Sequence, residues 1–261
     1  MSAGTDGPAV LVTRPAEDAA RWVDALARRG RRAIVFPCLR IEPLGGPDVA
    51  AALRAAVAEA AVLALTSPRA ARRAAELLGA PLPARLRVAV VGRATAEAAR
   101  EAFGRADIVP ASEHGEALAR RLAEDTTLRA GDKVAWPCAD RARGHLEQRL
   151  GPRGVVVERV PVYRTVPAPP QEPKDDPAAL GAGAALLASP SAVTGLANRA
   201  RGVERLLLVS IGPATSAAIR GRGWVVAAEA RRPGLDEMIA ALERAEAADR
   251  SGGVQEGRST R

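Results

Sequence analysis

The sequence predicts an α/β protein made of two doubly wound parallel-sheet lobes, related by an internal repeat, one of them discontinuous, joined by a two-stranded connector. Three observations predict it. Short apolar strands alternate with helices from Ala9 to Arg244, the pattern of parallel sheets covered by helices on both faces. About ten strands result, too many for one ordinary sheet. Motifs also recur about 120 residues apart, the spacing of a whole domain rather than of a solenoid unit. Leu65-Thr66-Ser67-Pro68 returns as Leu187-Ala188-Ser189-Pro190, Gly92-Arg93-Ala94-Thr95 as Gly212-Pro213-Ala214-Thr215, and the helix from Arg14 to Gly30 as Trp136 to Gly154.

In chain order, Ala9 to Thr13 is an apolar strand, and Arg14-Pro15 opens a helix where the missing proline N–H does no harm. That helix aligns Ala19, Trp22, Val23 and Leu26 on one face and ends at Arg28-Arg29-Gly30, with basic residues at the negative dipole end and then a terminating glycine. Ala33 to Phe36 is a strand, Pro37 to Pro43 a connector, and Gly45-Gly46-Pro47 a break. A helix over 48–60, a strand over 62–65, a helix from Ser67-Pro68 to Leu78, a strand over 88–91 and a helix over 94–103 follow. Ile108-Val109 is a short strand, 116–124 a helix, 133–136 a strand and 140–150 a helix. Val155-Val156-Val157 reads as a short buried strand, and Val160-Pro161-Val162-Tyr163-Arg164-Thr165 after it alternates in character and runs into the proline-rich segment Pro167 to Pro177. Strands over 184–187, 206–210 and 224–227 alternate with helices over 190–199, 214–220 and 235–244.

Pro37 and Pro161 both follow a strand at equivalent points of the repeat. The chain is therefore expected to cross between lobes at 37–43 and to return over 159–173. One lobe is then 44–158 and the other 1–36 joined to 174–245, with 246–261 a disordered polar tail. The crossing segments are expected to lie side by side as a hinge, with a cleft between the lobes.

Composition narrows the function. The formal net charge of +8 suits acidic ligands, but the arginines are scattered along helices rather than clustered. Aromatics are only 2%, too few for a base-stacking platform, and no groove-entering motif is present, so no nucleic-acid partner is expected. Cys38 and Cys138 are isolated, and only His114 and His145 could join them, so no metal site is expected. Two free thiols suit a reducing compartment. Met1 to Pro8 lacks an apolar core for a signal peptide, and no run spans a membrane; a cytoplasmic protein with no membrane partner is expected.

Ligands of open α/β sheets bind beyond the carboxyl ends of the strands. Four strand-to-helix turns carry small polar residues there: Thr66-Ser67, Gly92 to Thr95, Ser189 to Ser191, and Gly212 to Ser216. Each sets backbone N–H groups and a hydroxyl at a helix start, where a carboxylate or phosphate binds well. Singly, Ser67-Pro68 and Ser189-Pro190 are equally ordinary N-caps with a first-turn proline. No catalytic triad, acid–base dyad or dinucleotide loop is present. Asp140, Glu158, His114 and mid-helix His145 read as solvated side chains. Tyr163, the one tyrosine, lies on a crossing segment and is either a buried residue bonding a carbonyl or a functional group.

Taken together, Val10-Leu11-Val12-Thr13-Arg14-Pro15, Pro37 to Pro43, Leu65 to Pro68, Val91 to Thr95, Pro161-Val162-Tyr163-Arg164-Thr165, Ser189 to Val193 and Ile211 to Thr215 resemble, in order and spacing, the uroporphyrinogen-III synthase family of tetrapyrrole, porphyrin and heme biosynthesis. The resemblance implies two α/β lobes on a two-stranded connector. It implies an enzyme, a hydro-lyase, that takes the linear tetrapyrrole hydroxymethylbilane, expels its terminal hydroxyl as water and closes the ring with the last pyrrole inverted, with no metal and no organic cofactor. It places Tyr163 on the family's tyrosine, as the catalytic residue. Arg14, Thr66, Ser67, Gly92, Thr95, Ser189, Ser191, Gly212 and Thr215 become the substrate-binding set. The chain departs from the pattern at Cys138-Ala139, where the family often has Arg-Gly, and at Ala214-Thr215, where a second threonine is usual. A monomer is expected, in transient contact with the preceding pathway enzyme. The rival reading is an inactive two-lobed tetrapyrrole-binding or sensor homologue, in which loss of Tyr163 would be expected. A periplasmic-type solute binder would need a signal peptide.

Overall fold

The computed structural model describes residues 7–110 and 115–256. In chain order these form β1 (Ala9–Val12), α1 (Ala20–Ala27), β2 (Ala33–Val35), β3 (Leu39–Pro43), α2 (Pro47–Glu59), β4 (Val62–Leu65), α3 (Pro68–Leu78), β5 (Arg87–Val90) and α4 (Gly92–Phe103). They continue with α5 (Gly115–Ala123), β6 (Lys133–Ala139), α6 (His145–Leu150), β7 (Val156–Pro167), β8 (Ala182–Leu187), α7 (Pro190–Arg199), β9 (Leu207–Ser210), α8 (Pro213–Arg220), β10 (Val226–Glu229) and α9 (Leu235–Glu256). The chain divides into two compact units, Met1–Arg40 with Val166–Arg261, and Ile41–Thr165. The divisions fall inside β3 and β7, so the chain passes between units as strand both times.

The first unit holds a five-stranded sheet of order β10-β9-β8-β1-β2. Its central strands pair in parallel and β1 is buried along its whole length, as a strand covered on both faces must be. Alternate side chains part into two cores. Leu11, Ala185, Leu187 and Leu208 pack toward α7 and α8. Val10, Val12, Leu186 and Val209 pack toward α1 and α9.

The second unit holds the sheet β3-β7-β6-β4-β5, with Ile108 bridging Ala89 of β5. Leu63 and Leu65 enter the core beneath α2, α3 and α4, whereas Val62 and Ala64 enter the one beneath α5 and α6. Leu65 is fully buried, and truncating such a leucine costs about 2–5 kcal/mol.

Sheet order makes the repeat visible. β8, β9, β10, β1 and β2 of the first unit correspond to β4, β5, the Ile108 bridge, β6 and β7 of the second. In each sheet the order reverses at one point, between β8 and β1 and between β4 and β6. The equivalent helices begin alike: Ser67 and Ser189, both extended, cap α3 and α7 by accepting the N–H of Ala70 (3.1 Å) and Ala192 (3.2 Å).

Several elements differ from the sequence reading. Residues 37–43 contain β3, and the separate strand and return connector are one twelve-residue strand, β7, because β6 extends to Ala139 and supplies ladder partners as far as Tyr163. Ile108 forms only a bridge. The helix expected over 140–150 starts at His145, since Asp140 to Gly144 is a turn closed by Ala142 N–H on Ala139 O at 3.1 Å. α9 continues to Glu256, through 246–256 of the expected disordered tail. Arg31 pairs with Glu246 (2.8 Å), and Ala245 is buried, which holds the helix beyond 244. His114 and the rest of that tail, 257–261, lie outside the described residues.

Within the first unit, α7 clamps the crossing segments. Arg199 Nη1 donates to Pro37 O at 2.6 Å, and its guanidinium stacks 4.7 Å from the Phe36 ring centroid. Asn198 Nδ2 donates to Ala168 O at 2.8 Å, and Ala168 N–H to Cys38 O at 2.8 Å. Gly195 lets the helix lie directly on Cys38: a Cβ there would stand 1.7 Å from Cys38 O.

Candidate active site

In the second unit the sheet reverses between β4 and β6, which is where an open sheet leaves a crevice. Thr66-Ser67 follows β4, and Tyr163 reaches the same end because β7 runs parallel to β6, with Ala139 opposite Tyr163 and Asp140 N–H bonded to Tyr163 O at 3.0 Å. Ser67 Oγ lies 3.2 Å from the Tyr163 hydroxyl. A serine hydroxyl has one proton and two acceptor positions. Ala70 N–H takes one acceptor position, which leaves Ser67 able either to accept the tyrosine proton or to donate its own. In the second case the phenol proton is free for a ligand. The Arg69 guanidinium sits over the Tyr163 ring, 5.3 Å from its centroid, in cation–π range.

Thr66 Oγ1 accepts Trp136 Nε1–H at 3.1 Å. The indole, 3% exposed, lies under the Arg159 guanidinium at 4.8 Å. Arg159 is itself held by Glu147 Oε1 at 2.9 and 2.6 Å and by Ala142 O at 2.9 Å. Thr66, Ser67 and Tyr163 are therefore brought together on a braced floor. At the next strand end, Gly92 starts α4 with φ +70, a conformation glycine adopts without strain, and no side chain caps this helix. Thr95 stands in its first turn with only 3% exposure, so the start of α4 presents backbone rather than the Thr95 hydroxyl.

The first unit repeats the plan with different detail. Thr13 Oγ1 donates to Leu186 O at 2.6 Å, tying the end of β1 to β8. Arg14 follows, its Nη2 3.5 Å from Asp18 and its Nε buried with no hydrogen-bond partner among the described residues. Ser189 and Ser191 stand half-buried at the start of α7. No side chain caps Gly212 at the start of α8, and Thr215 is 2% exposed. Buried Ser216 is held by Ser210 at 2.6 Å and by Glu229 at 2.5 Å, which anchors that first turn.

Burial pushes the Cys38 thiol up to about 12, with Arg199 pulling weakly the other way, and burial likewise raises Cys138 to about 12, so neither is a nucleophile. Among the described residues no group of three metal-ligating side chains is present. Sequence reasoning passed over Arg69, Arg159 and Trp136. Trp136 alone carried a signal, as one of three tryptophans in a chain of 2% aromatics.

Fold and site together define a class: a two-unit, doubly wound α/β protein with polar helix starts at both sheet-reversal points and a serine–tyrosine pair at one of them. A profile of the family described as Uroporphyrinogen-III synthase HemD matches residues 20–240. The chain belongs to the uroporphyrinogen-III synthase family. It is 28% identical over 246 residues to the chloroplastic uroporphyrinogen-III synthase of Oryza sativa subsp. japonica, covering 90% of this chain and 80% of that one. It is 28% identical over 255 residues to the uroporphyrinogen-III synthase of Synechococcus elongatus, covering 91% and 95%. Its fold is shared with a mutant uroporphyrinogen III synthase of the extremely thermophilic bacterium Thermus thermophilus (TM-score 0.50, 19% identity, 93% and 100% covered). It is shared also with uroporphyrinogen-III synthetase of Helicobacter pylori 26695 (TM-score 0.51, 13% identity, 91% and 99% covered).

Proposed function

We propose that this chain is a uroporphyrinogen-III synthase, a hydro-lyase that closes hydroxymethylbilane with loss of water and inversion of the last pyrrole. The observation that carries the reading, beside family membership, is the Ser67–Tyr163 hydroxyl pair at a sheet-reversal point. The leaving group is a hydroxyl, and the pyrrole nitrogen stabilises the cation left behind. The protein's part is then to protonate or hydrogen-bond that hydroxyl and to hold the chain so that the inverted closure wins. Tyr163 is the donor in this scheme. Ser67, donating toward the phenol oxygen, stabilises the phenolate character that develops as the proton leaves. The same tyrosine accepts a proton back when the closed ring loses one, so the water departs without net change in the protein.

Each unit by itself offers donors suited to the acetate and propionate groups of the substrate: in the second unit the uncapped start of α4, through the backbone at Gly92, with Thr66, and in the first unit the uncapped start of α8, through the backbone at Gly212, with Ser189, Ser191 and Arg14. Thr95 and Thr215 act from beneath, by packing those first turns. An inactive binding homologue has no use for the tyrosine, which is present and hydrogen-bonded. In this reading the chain works as a cytoplasmic monomer that takes its unstable substrate from the preceding enzyme by transient contact.

The test is the rate of hydroxymethylbilane consumption. Wild-type protein should exceed the spontaneous rate, and Tyr163→Phe should fall by about 10²–10⁴-fold, the range of a general acid. Consumption no faster than the spontaneous rate would remove the enzyme reading. Full activity in Tyr163→Phe would remove Tyr163 from it.

A further inference from the structure

The sequence reads Asp140 to Leu150 as one helix, with His145 on a solvated face. In the structure the segment Asp140 to Gly144 turns instead, and Arg143 and His145 come to stand beside Thr66. With Trp136, and with Gly115, Ala142 and Leu146 as walls, they line a cavity of about 220 Å³.

Among the described residues, Arg143, Thr66 and His145 can each donate into this cavity. Arg143 offers up to five N–H groups and forms no ion pair among the described residues. Thr66 Oγ1 already accepts from Trp136, so its own proton is free to be donated. His145 offers a ring N–H in either tautomer. Among the described residues no carboxylate lines the cavity. Among the described residues, the acidic side chains nearby in sequence have partners of their own: Glu147 Oε1 takes Arg159, though its Oε2 is buried without a partner, Glu116 takes Arg149, and Asp140 takes the Arg141 N–H at 2.9 Å. The volume lies below the roughly 300–1,000 Å³ of pockets that enclose a whole drug-sized ligand. It suits one short acidic arm rather than a pyrrole chain.

We propose that this cavity is a carboxylate subsite that receives one acetate or propionate arm of the linear tetrapyrrole, held by Arg143 with Thr66 and His145 completing the donor set. The proposal rests on the ring-closing reading above and adds to it the residue and the substrate group that meet there. An arginine–carboxylate contact of this kind acts on substrate and transition state alike, so its loss appears in KM and not in kcat.

The test combines kinetics on hydroxymethylbilane with equilibrium binding of uroporphyrinogen III, kept reduced, for the wild type, Arg143→Ala and Arg143→Lys. Arg143→Ala should raise both KM and the product Kd about tenfold or more, with kcat within about twofold and an unchanged unfolding midpoint. Arg143→Lys should recover part of the loss. Unchanged KM and Kd in a folded Arg143→Ala protein, beside a wild type that makes isomer III, would overturn the subsite and leave the synthase reading standing. A wild type that makes only isomer I would overturn that reading, and the subsite with it.

Discussion

Gly195 is the position where the packing makes its sharpest demand. Replacing it with alanine adds one methyl group, which would stand 1.7 Å from Cys38 O, 2.6 Å from Cys38 C and 3.0 Å from Cys38 Cα. All three atoms are backbone, so no side chain can swing away. Cys38 O is also fixed by the Ala168 N–H at 2.8 Å, and the neighbouring Pro37 O by Arg199 at 2.6 Å. Restoring ordinary contact needs a shift of more than about 1 Å between α7 and this segment, and overpacking of this kind costs typically 1–3 kcal/mol or more. Alanine recovers about 1 kcal/mol as a better helix former than glycine. At 1.7 Å the clash lies at the upper end of that range and should win, leaving a net loss of up to about 2 kcal/mol. Urea unfolding followed by tryptophan fluorescence and far-ultraviolet dichroism should show the transition of the first unit moved to lower denaturant with its slope kept. Because α7 carries Ser189 and Ser191 at its start, KM for the substrate should rise as well. A variant as stable as the wild type, or more stable by the helix-propensity gain, would refute the close-approach reasoning.

Three further outcomes are expected. Burial pushes the Asp125 carboxyl up, but hydrogen bonds from Thr127 and Arg87 overcome this and hold it down to about 2. A folded pKa depressed below the unfolded value gives stability that is present above pH ~4 and lost as pH falls toward ~2, here about 2 kcal/mol. Asp125→Asn should therefore be less stable than the wild type at neutral pH, with the gap closing at pH ~2, as thermal melts across that range will show. Arg153 donates to the carbonyls of Leu122, Ala123, Asp125 and Leu128 at 2.7–3.2 Å, closing the end of α5. Arg153→Ala should cost about 2–3 kcal/mol in chemical denaturation, and Arg153→Lys should restore little because one ammonium cannot span the four carbonyls. Ser189→Ala removes the cap of α7 and should cost about 1 kcal/mol in the same assay, whereas Ser189→Asp should be near neutral in stability yet raise KM by repelling the substrate's carboxylates.

Much of the fold was legible because strong local signals agree. Ser67-Pro68 and Ser189-Pro190 marked the starts of α3 and α7 to the residue, since a capping hydroxyl before a first-turn proline has few other uses. The β-branched and leucine runs of β1 and β4 marked the central strands, which are buried on both faces. The misread segments are those whose structure is set from a distance. Asp140 to Gly144 has a helical composition, but Asp140 N–H is claimed by Tyr163 O and Ala142 N–H closes a turn on Ala139 O. β7 runs on through Pro161 because β6 and β3 flank it, a partnership no local pattern announces. At the candidate site, the hydroxyl residues were legible as motifs. Their supports, Arg69 over Tyr163 and Arg159 over Trp136, were not, because a surface arginine on a helix and one that stacks on a ring look alike in sequence. Thr95 and Thr215 stand apart: motif position marked them for contact, and the structure buries both residues.

The measurement that tests the central claim most directly is the product isomer. Freshly made hydroxymethylbilane is incubated with the protein, the products are oxidised, and uroporphyrins I and III are separated and compared with a protein-free control. The account predicts isomer III as the main product of the wild type, formed faster than the control forms isomer I. Isomer I alone, at the control rate and from folded protein, would contradict it and leave the Ser67–Tyr163 pair as part of a site that binds without closing the ring.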